Sequence, residues 1–477
     1  MTAEAPRLRL RETRFYERDV VLRMPFRFGV VTLTEAPQTF LRVRVELADG
    51  RSGWGQAAEM LAPKWFDKDP ALSNADNFDQ LRRSLALAQD LYAAADETLS
   101  AFGLHAALYE THRENCAAQG LNPLIASFGT ALLDRAILDA LCRLEGLSVF
   151  EAVAGNLPGI DATTAPDLDG FDLPTFLARL GPRDWIHARH TVGLVDPITA
   201  ADLDPADRVG DGLPETLEDC VRVYGNRYFK LKVGGAQAAD LERLTEIAAV
   251  LDRIEAPYQV TLDGNEQYAD VEAIAALWQA MAAAPALKRL VESTLFVEQP
   301  ILRSEALSQD IGALSRFKPV EIDESDATME TFLQAKALGY SGVSSKSCKG
   351  LYRSLLNRAR CALWNREAGE ARYFMSAEDL TTQAGLCVQQ DLALASLIGC
   401  DHVERNGHHY VNGMVGVPAH EQDAFLAAHG DLYHRAGDVV RLTITDGRIA
   451  LNSLRCPGYA CAVEPDWSAM TACEYRA

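Results

Sequence analysis

Short apolar strands alternate with amphipathic helices over the second half of the chain, and this alternation constrains the fold more than any other feature. The strand candidates are "YFKLKV", "YQVTLD", "LFVEQP", "PVEIDES", "GVSSKS" and "ARYFMSA", and helical segments such as "DLERLTEIAAVLDRI" and "LYRSLLNRARCALWN" lie between them. Repeated strand–helix units predict a parallel sheet. With "WIHARHTVGL" before this region and "DHVERN" after it, about eight strands are expected, which favours a closed (β/α) barrel.

The segments on either side of the barrel have a different pattern. Residues 1–155 begin with extended runs, two of which are separated by an "ADGRSG" turn, and continue with helical segments such as "FGTALLDRAILDALCRLEGLSVFEAVAG". This predicts an α+β domain. We expect the barrel to occupy residues 156–435. Residues 436–477 show a hairpin pattern around "TDGR" and are expected to pack back on the N-terminal domain.

The net charge and the composition indicate which classes of binding partner, and which location, are expected for the protein. The formal net charge of -21 argues against a nucleic acid or an anionic membrane, because a polyanion would approach a net-repulsive surface. No apolar run is long enough to cross a bilayer. The stretch "MTAEAPRLRL" lacks an apolar signal core, so a cytoplasmic location is expected. The ten cysteines form no CxxC pair and are expected to be reduced and mostly buried.

Charged residues recur at the ends of the predicted barrel strands. Side chains two positions apart share one face of a strand, so in "YFKLKV" Phe229 and Leu231 face the outer helices while Lys230 and Lys232 point inward. The same alternation turns one charged side chain inward at the end of each following strand, namely Asp263, Glu298, Asp323 and Lys346. Barrel interiors are otherwise apolar, and barrel enzymes have their active sites at the carboxyl ends of the strands.

Each of these charges alone has an ordinary explanation. A single aspartate after a strand commonly caps a helix, and a single lysine commonly lies at a solvated rim. Together, Asp263, Glu298 and Asp323 would form an all-oxygen site, which suits Mg²⁺ better than zinc because no His or Cys is among them. Lysines from the second and sixth strands would approach the same ligand from opposite sides, which suits the removal of a proton.

These motifs resemble those of the enolase superfamily and, within it, the muconate lactonizing enzyme-like group of the mandelate racemase/muconate lactonizing enzyme family. "KLKVGG" is similar to the paired-lysine motif, "LDGN", "FVEQP" and "IDES" to the three metal-ligand motifs, and "SSKSCKG" to the sixth-strand lysine motif. The stretch "PFRFGVVTLTEAPQTFLRVRVELADGRSGWGQA" resembles the N-terminal capping domain. The resemblance covers nearly the whole chain and implies a modified (β/α) barrel with an α+β capping domain.

The resemblance also implies a reaction and a role for each residue. Members bind a carboxylate substrate to Mg²⁺, remove the proton next to that carboxylate and stabilise the resulting enediolate on the metal. Lys232 is then expected to be the base on one face, with Lys230 lowering its pKa and helping to hold the substrate carboxylate. Lys346 is expected to act as acid or base on the other face. The implied metal ligands are Asp263, Glu298 and Asp323.

More than one reaction is compatible with this site. A racemase or epimerase is the leading prediction, because two lysines can deprotonate one face and reprotonate the other. A cycloisomerase or a β-elimination lyase begins with the same proton and stays open. Less favoured are a Schiff-base enzyme, with Lys232 or Lys346 as nucleophile and no metal, and a non-catalytic relative. The expected partners are a small-molecule carboxylate and further copies of the chain in a homo-oligomer.

Two assignments have a rival within the same motif. Lys349 in "SSKSCKG" competes with Lys346, although Lys349 falls after the strand. Glu324 in "IDES" competes with Asp323, but strand alternation is expected to turn Glu324 outward.

Outside the motifs, Ser376 and Glu378 either contact substrate or have solvated or capping roles. His408 and His409 are expected at the surface or behind the site. Residues 61–75, "LAPKWFDKDPALSNA", are the candidate lid over the barrel. Their aromatic side chains either exclude water or form a fixed contact between domains, and they are Trp65 and Phe66.

Overall fold

Three antiparallel strands begin the chain in the computed structural model, which describes residues 4–28 and 31–477. They are β1 (Leu8–Phe28), β2 (Val31–Leu47) and β3 (Ser52–Met60). β2 and β3 pair on either side of the "ADGRSG" turn, from Gln38 opposite Met60 to Glu46 opposite Ser52. The hairpin predicted at this turn is therefore confirmed.

A group of helices follows, and the longest of them packs against this sheet. The helices are α1 (Asn74–Ala93), α2 (Ala101–Ala118), α3 (Pro123–Glu145), α4 (Val149–Ala154) and α5 (Leu173–Leu177). α3 begins after Asn122, whose side chain accepts hydrogen bonds from two backbone N–H groups of the first turn. It ends at Gly146, which has φ 67°, a left-handed conformation that glycine adopts without strain.

Strands and helices then alternate along the chain, as the sequence predicts. In chain order they are β4 (Trp185–Val192), α6 (Leu217–Tyr224), β5 (Tyr228–Lys232), α7 (Gln237–Leu251), β6 (Gln259–Asp263), α8 (Val271–Ala283), α9 (Lys288–Glu292), β7 (Thr294–Glu298), α10 (Arg303–Ala306), α11 (Gly312–Ser315), β8 (Val320–Ile322), α12 (Thr331–Ala337), β9 (Gly342–Ser345), α13 (Leu351–Ala368), β10 (Phe374–Ala377), α14 (Leu386–Leu397) and β11 (His402–Arg405). The strands pair in the order β10-β9-β8-β7-β6-β5-β4-β11, and every one of these pairings is parallel. The sheet curls into the predicted (β/α) barrel, with its outer face covered by helices.

Side chains close the seam between β10 and β11. These strands lie next to each other, but in residues 4–28 and 31–477 no backbone ladder joins them. Asp379, just after β10, accepts hydrogen bonds from the backbone N of Asn406 at 3.1 Å and of Gly407 at 3.2 Å, just after β11. This carboxylate connects the two strand ends at the barrel mouth, the end at which the strands have their carboxyl termini.

The C-terminal elements pair with three different partners. They are α15 (Gly407–Tyr410), α16 (Ala419–Ala428), β12 (Tyr433–Ala436), β13 (Val439–Leu442), β14 (Arg448–Ala450) and β15 (Thr471–Cys473). β13 pairs with β12, β14 with the start of β4, and β15 with β1. The turn predicted around "TDGR" is confirmed, because the backbone N of Thr445 donates to Arg448 O at 3.0 Å and the backbone N of Arg448 donates to Thr445 O at 2.9 Å. The strand that follows this turn, β14, pairs with the first residues of β4, which precede the start of the β4–β5 pairing and offer their backbone groups there. The predicted domain boundaries stay predictions.

Two further observations bear on the sequence-based expectations. All ten cysteines are free, and all but Cys456 and Cys473 are buried. Among the helices in the described part of the chain, none is both long and apolar enough to span a bilayer. The cytoplasmic location stays a prediction.

Close packing of α3 on β3 leads to a first testable prediction. A Cβ atom on Gly55 would lie 2.1 Å from the backbone O of Ala136 and 2.3 Å from the backbone N of Ala140, so Gly55→Ala must push the helix away from the sheet. We expect a destabilisation of about 1–3 kcal/mol, measured as a lower urea midpoint. Gly181→Ala is the matched control, because nothing lies within 4 Å of its added methyl group. Equal midpoints for the two variants would contradict this packing.

Candidate active site

The predicted site residues all lie at the barrel mouth and are all buried. Lys230 and Lys232 are on β5, Asp263 and Glu298 end β6 and β7, and Asp323 and Lys346 directly follow β8 and β9. The strand register sets Lys232 opposite Asp263, and Asp263 opposite Glu298. The side chains contact one another within the mouth, as the inward orientation expected from strand alternation requires.

The ammonium group of Lys230 is surrounded by carboxylates from other strands. Its Nζ lies 2.7 Å from Glu298 Oε1, 2.8 Å from Glu404 Oε2, 2.9 Å from Asp263 Oδ2 and 3.0 Å from Glu378 Oε1. Burial by itself lowers the pKa of this lysine, but the surrounding carboxylates raise it well above its ordinary value. Lys230 is therefore a fixed positive charge at the centre of the mouth.

Asp263 resolves the expected repulsion between the two lysines of β5. Its Oδ2 lies 2.5 Å from Lys232 Nζ as well as 2.9 Å from Lys230 Nζ, so one oxygen bridges both ammonium groups. Its Oδ1 accepts a hydrogen bond of 2.7 Å from the backbone N of Asn265. Burial raises the pKa of Asp263, but the two lysines lower it by more. The pKa therefore lies below its ordinary value.

Lys346 faces the same carboxylates from the other side of the mouth. Its Nζ donates to Asp323 Oδ2 at 2.8 Å and to Glu378 Oε2, and it lies 4.9 Å from the centre of the Trp65 ring. Burial opposes the charged form, yet Asp323 and Glu378 raise the pKa of Lys346 well above its ordinary value. In this arrangement Lys346 is an ammonium group and can donate a proton.

Lys349, the other candidate lysine of the same motif, has its hydrogen bonds satisfied by backbone oxygens. Lys349 Nζ donates to the backbone O of Asp323 at 2.8 Å and to the backbone O of Ser344 at 3.0 Å. It also lies 2.9 Å from Asp323 Oδ1. Lys346 lines the cavity at the mouth, whereas Lys349 does not. The geometry thus favours Lys346 as the lysine that meets a ligand.

Three carboxylates have oxygens close enough to share a metal ion. Glu298, Asp323 and Glu378 each place one carboxylate oxygen within 4.8 Å of the others. Glu298 Oε2 is buried without a hydrogen-bond partner, and burial together with Asp263 and Glu378 raises the pKa of Glu298 well above its ordinary value. A divalent cation would relieve this concentration of negative charge, and the all-oxygen donor set fits Mg²⁺.

Glu378 is the residue that the sequence left undecided. It directly follows β10, and its carboxylate contacts Lys230, Lys346 and Arg189, the last at 3.0 Å. Burial raises the pKa of Glu378, but the three cations lower it by more. The pKa therefore lies well below its ordinary value. Ser376 Oγ donates to Glu321 Oε1 at 2.9 Å inside the barrel, so neither residue is solvated. The sequence offered one signal for Glu378, namely its position two residues after Ser376, at the end of a predicted barrel strand.

The orientation predicted for Glu324 is wrong. β8 ends at Ile322, so the two-residue alternation does not continue to Glu324. Its carboxylate is buried at the mouth, where Oε1 accepts from Asn265 Nδ2 at 3.2 Å and from Lys68 Nζ at 3.4 Å. Burial raises the pKa of Glu324 above its ordinary value.

Gln299, Glu404 and Arg189 also belong to the site, although the sequence did not single them out. Gln299 Oε1 accepts from the backbone N of Asp323 at 2.9 Å, and thereby holds the turn after β8 against β7. Glu404 accepts from Lys230 and, at 2.6 Å, from Thr191 Oγ1. Gln299 and Glu404 lie at strand ends, in "FVEQP" and "DHVERN", so their positions could have identified them from the sequence as candidate site residues.

The N-terminal domain completes the cavity. Its Phe26, Leu33, Ala62 and Trp65 line the apolar side, opposite the lysines and carboxylates, around a volume of about 40 Å³. Residues of the candidate lid are attached to the barrel, because Arg303 donates to the backbone O of Trp65 at 2.9 Å and of Phe66 at 3.0 Å. Both aromatic side chains are buried; Trp65 faces Lys346 of the barrel, whereas the Phe66 ring packs edge-on against Phe128 of α3.

His408 and His409 lie behind the site. They are 8% and 3% exposed, so they are not surface residues, and neither lines the cavity at the mouth. Their rings pack near His190 on the outer side of β4.

Comparison with known proteins gives a match in structure alone. No protein-family model and no curated protein matches the chain. Among solved structures, a mandelate racemase/muconate lactonizing protein from Herpetosiphon aurantiacus superposes with a TM-score of 0.59 at 17% identity, over 96% of this chain and 99% of that chain. A member of the enolase superfamily from Roseovarius nubinhibens ISM, complexed with magnesium, gives 0.55 at 18% identity, over 97% of each chain.

A dipeptide epimerase from Enterococcus faecalis V583, complexed with Mg and the dipeptide L-Leu-L-Tyr, gives a TM-score of 0.59 at 13% identity, over 95% of this chain and 99% of that chain. Matches of this length include both the N-terminal domain and the barrel. The chain therefore has the fold of the mandelate racemase and muconate lactonizing enzymes of the enolase superfamily.

Proposed function

We propose that this protein is a Mg²⁺-dependent enzyme of the enolase superfamily that removes the proton next to a substrate carboxylate and returns a proton to the opposite face, as a racemase or epimerase does. One observation carries the proposal. Lys232 and Lys346 line one cavity from β5 and β9, which are four strands apart in a ring of eight and so face each other. A planar anion between them would meet one lysine on each face.

The carboxylates between these lysines supply the metal site of the proposal. Glu298 and Asp323 would hold Mg²⁺ together with Asp263, the predicted third ligand, or with Glu378, one oxygen of which lies within 4.8 Å of an oxygen of each of the first two. A bound Mg²⁺ would supply positive charge beside the substrate carboxylate as the proton leaves. The free oxygen of Glu298 supports this assignment.

The lysines divide the proton transfer between two faces. In one direction a neutral Lys232 takes the α-proton, and the Lys346 ammonium group donates a proton to the other face, so the substrate keeps its mass and inverts its configuration. In the other direction the two lysines exchange roles. Lys230 holds the carboxylates around it in place. Its predicted contact with the substrate carboxylate stays a prediction.

The cavity constrains how substrate enters. A volume of about 40 Å³ holds little more than one or two water molecules, so residues 61–75 must shift for a larger molecule to bind. A structural neighbour is complexed with a dipeptide, which makes dipeptides one class of candidate substrate besides amino-acid derivatives and hydroxy acids. Assembly into a homo-oligomer stays a prediction.

Incubation with these candidate substrates in D₂O tests the reaction. With Mg²⁺ we expect deuterium at the α-carbon of at least one of them, because the removed proton exchanges with solvent before return. EDTA or Asp263→Asn should lower the exchange by about 100-fold or more. Mass spectrometry of the recovered compound also separates isomerisation, which changes the mass only by the added deuterium, from elimination, which removes water. Exchange at full rate in EDTA would rule out the metal requirement.

Single lysine variants test the two-face assignment. Lys232→Ala should lower exchange from one enantiomer of a substrate by about 10²–10⁴-fold, and Lys346→Ala should do so for the other enantiomer, since each removes the base for one face. Lys288→Ala, an exposed lysine on α9, is the control and should leave both rates unchanged. Full turnover of both enantiomers in the two mouth variants would show that neither lysine is the base.

The metal site has a readout that needs no substrate. Mg²⁺ at about 100 times its dissociation constant should stabilise the wild-type protein by about 2.7 kcal/mol, seen as a rise in the thermal midpoint. The increment should vanish in Glu298→Gln and in Asp323→Asn, because each removes a ligand charge. Glu330→Gln, at an exposed position, should keep it. An equal Mg²⁺ increment in all these variants would place the ion elsewhere.

A further inference from the structure

A second group of metal-ligating side chains lies outside the barrel mouth. His190 on β4, Cys220 on α6 and His409 on α15 are all buried, and each places one ligand atom within 4.8 Å of the others. We call these residues the His–Cys cluster. His190 lies between Arg189 and Thr191, whose side chains point into the barrel, so His190 itself faces the outer helices. The cluster is thus behind the first barrel strand.

The spacing within the cluster fits a tetrahedral metal ion. Cys220 Sγ lies 3.6 Å from His409 Nδ1. For Zn–S and Zn–N bonds of about 2.3 and 2.0 Å, the corresponding edge of a tetrahedron is about 3.5 Å. The sulfur and nitrogen therefore already stand at the separation that a shared zinc ion requires. The imidazole of His190 would reach the same point after a shift of at most about 1.5 Å, since the 4.8 Å limit exceeds the tetrahedral N–N and S–N edges by no more than this amount.

His190 provides an independent observation. Its Nδ1 has no hydrogen-bond partner, although the side chain is only 2% exposed. Buried polar atoms are bonded in the great majority of cases, and an orphaned one costs about 1–3 kcal/mol. The ring lies 5.0 Å from the ring of His409, and one of its two nitrogens is within 4.8 Å of the ligand atoms of Cys220 and His409. A bound metal would use the lone pair of that nitrogen.

The surroundings of the His–Cys cluster are compatible with the entry and binding of a cation. A cavity of about 360 Å³, lined by Tyr224 and His408 among others, opens beside the cluster, and the His408 ring lies 5.5 Å from that of His190. The cation Arg23 donates to the backbone O of His409 at 2.9 Å and is paired with Asp211 at 2.8 Å. Its charge is therefore already compensated.

We propose that His190, Cys220 and His409 bind one Zn²⁺ ion, with water in the fourth position of the tetrahedron. Two imidazoles and a thiolate are ligands that zinc prefers over the oxygen ligands of Mg²⁺. On binding, the Cys220 sulfur exchanges its proton for the metal, and the proton is released to solvent. This proposal does not depend on the function proposed for the barrel mouth.

Such an ion would join three parts of the barrel that are distant in sequence. It would fasten β4 to the helix that precedes β5 and to the short helix that follows β11, at the place where the first and last strands meet. Thr191, next to His190, donates to Glu404 Oε1 at 2.6 Å, and Glu404 binds Lys230. Zinc behind β4 would therefore steady one wall of the barrel mouth.

Zinc content after extensive dialysis into metal-free buffer tests the site. We expect about one zinc per wild-type chain by plasma mass spectrometry, and less than about a tenth of that in Cys220→Ser and in His409→Gln. Cys361→Ser removes a buried cysteine outside the cluster and should retain the metal. Asp263→Asn should also retain it while losing Mg²⁺-dependent exchange, which separates this site from the barrel mouth. Equal zinc in wild type and Cys220→Ser would mean an adventitious ion only and would overturn the proposal.

A spectroscopic measurement on the wild-type chain covers the case in which a variant does not fold. Co²⁺ added to the metal-free protein should produce the sulfur-to-cobalt charge-transfer absorption of a thiolate ligand and the strong visible bands of tetrahedral coordination, saturating at about one equivalent. Zn²⁺ should displace both signals. Co²⁺ bands that lack the sulfur component, or that saturate only with several equivalents, would refute the Cys220 ligand and the proposal with it.

Discussion

The ion cluster around Lys230 is the interaction on which the barrel mouth depends. A buried ammonium group without partners would cost several kcal/mol, and here it is compensated by four carboxylates that come from four other strands. Each carboxylate must stay near Nζ, so one lysine sets where the ends of β6, β7, β10 and β11 converge. The seam between β10 and β11, which lacks backbone pairing, lies beside two of these carboxylates.

The same carboxylates serve more than one cation, so the two sides of the mouth are coupled. Glu378 contacts both Lys230 and Lys346, and Asp263 contacts both lysines of β5. A metal ion at the mouth would compete with these ammonium groups for the same oxygens. Binding of the ion and the position of each lysine are thus linked through shared partners, which pairwise contacts in the sequence motifs do not reveal.

The N-terminal domain takes part in the same electrostatic arrangement. Lys68 from this domain donates to the backbone O of Asn265 at 3.0 Å and pairs with Glu266 and Glu324 at the mouth. Arg303 binds the backbone of the loop that carries Trp65. Because polar contacts attach this loop to the barrel and Trp65 lines the cavity, the cavity belongs to both domains.

Strand alternation predicted the inward orientation of the charged side chains wherever a strand continued. It placed Lys230, Lys232 and Asp263 correctly, because side chains in a strand repeat with a period of two. It failed at Glu324, where β8 had already ended, and it left Glu378 undecided one residue beyond β10. The "TDGR" turn formed as predicted, but the pairing of β14 with β4 was not foreseen, since a local turn pattern does not contain the free edge of β4.

The sequence by itself therefore determined the order of strands and helices, the inward faces of the strands and the charged residues at their ends, since these depend on local periodicity. Only the tertiary structure decided which carboxylates lie close enough to share an ion, because distances across a barrel depend on how the sheet curls. For the same reason only the folded chain brings together His190, Cys220 and His409, which come from β4, α6 and α15 and belong to no common motif.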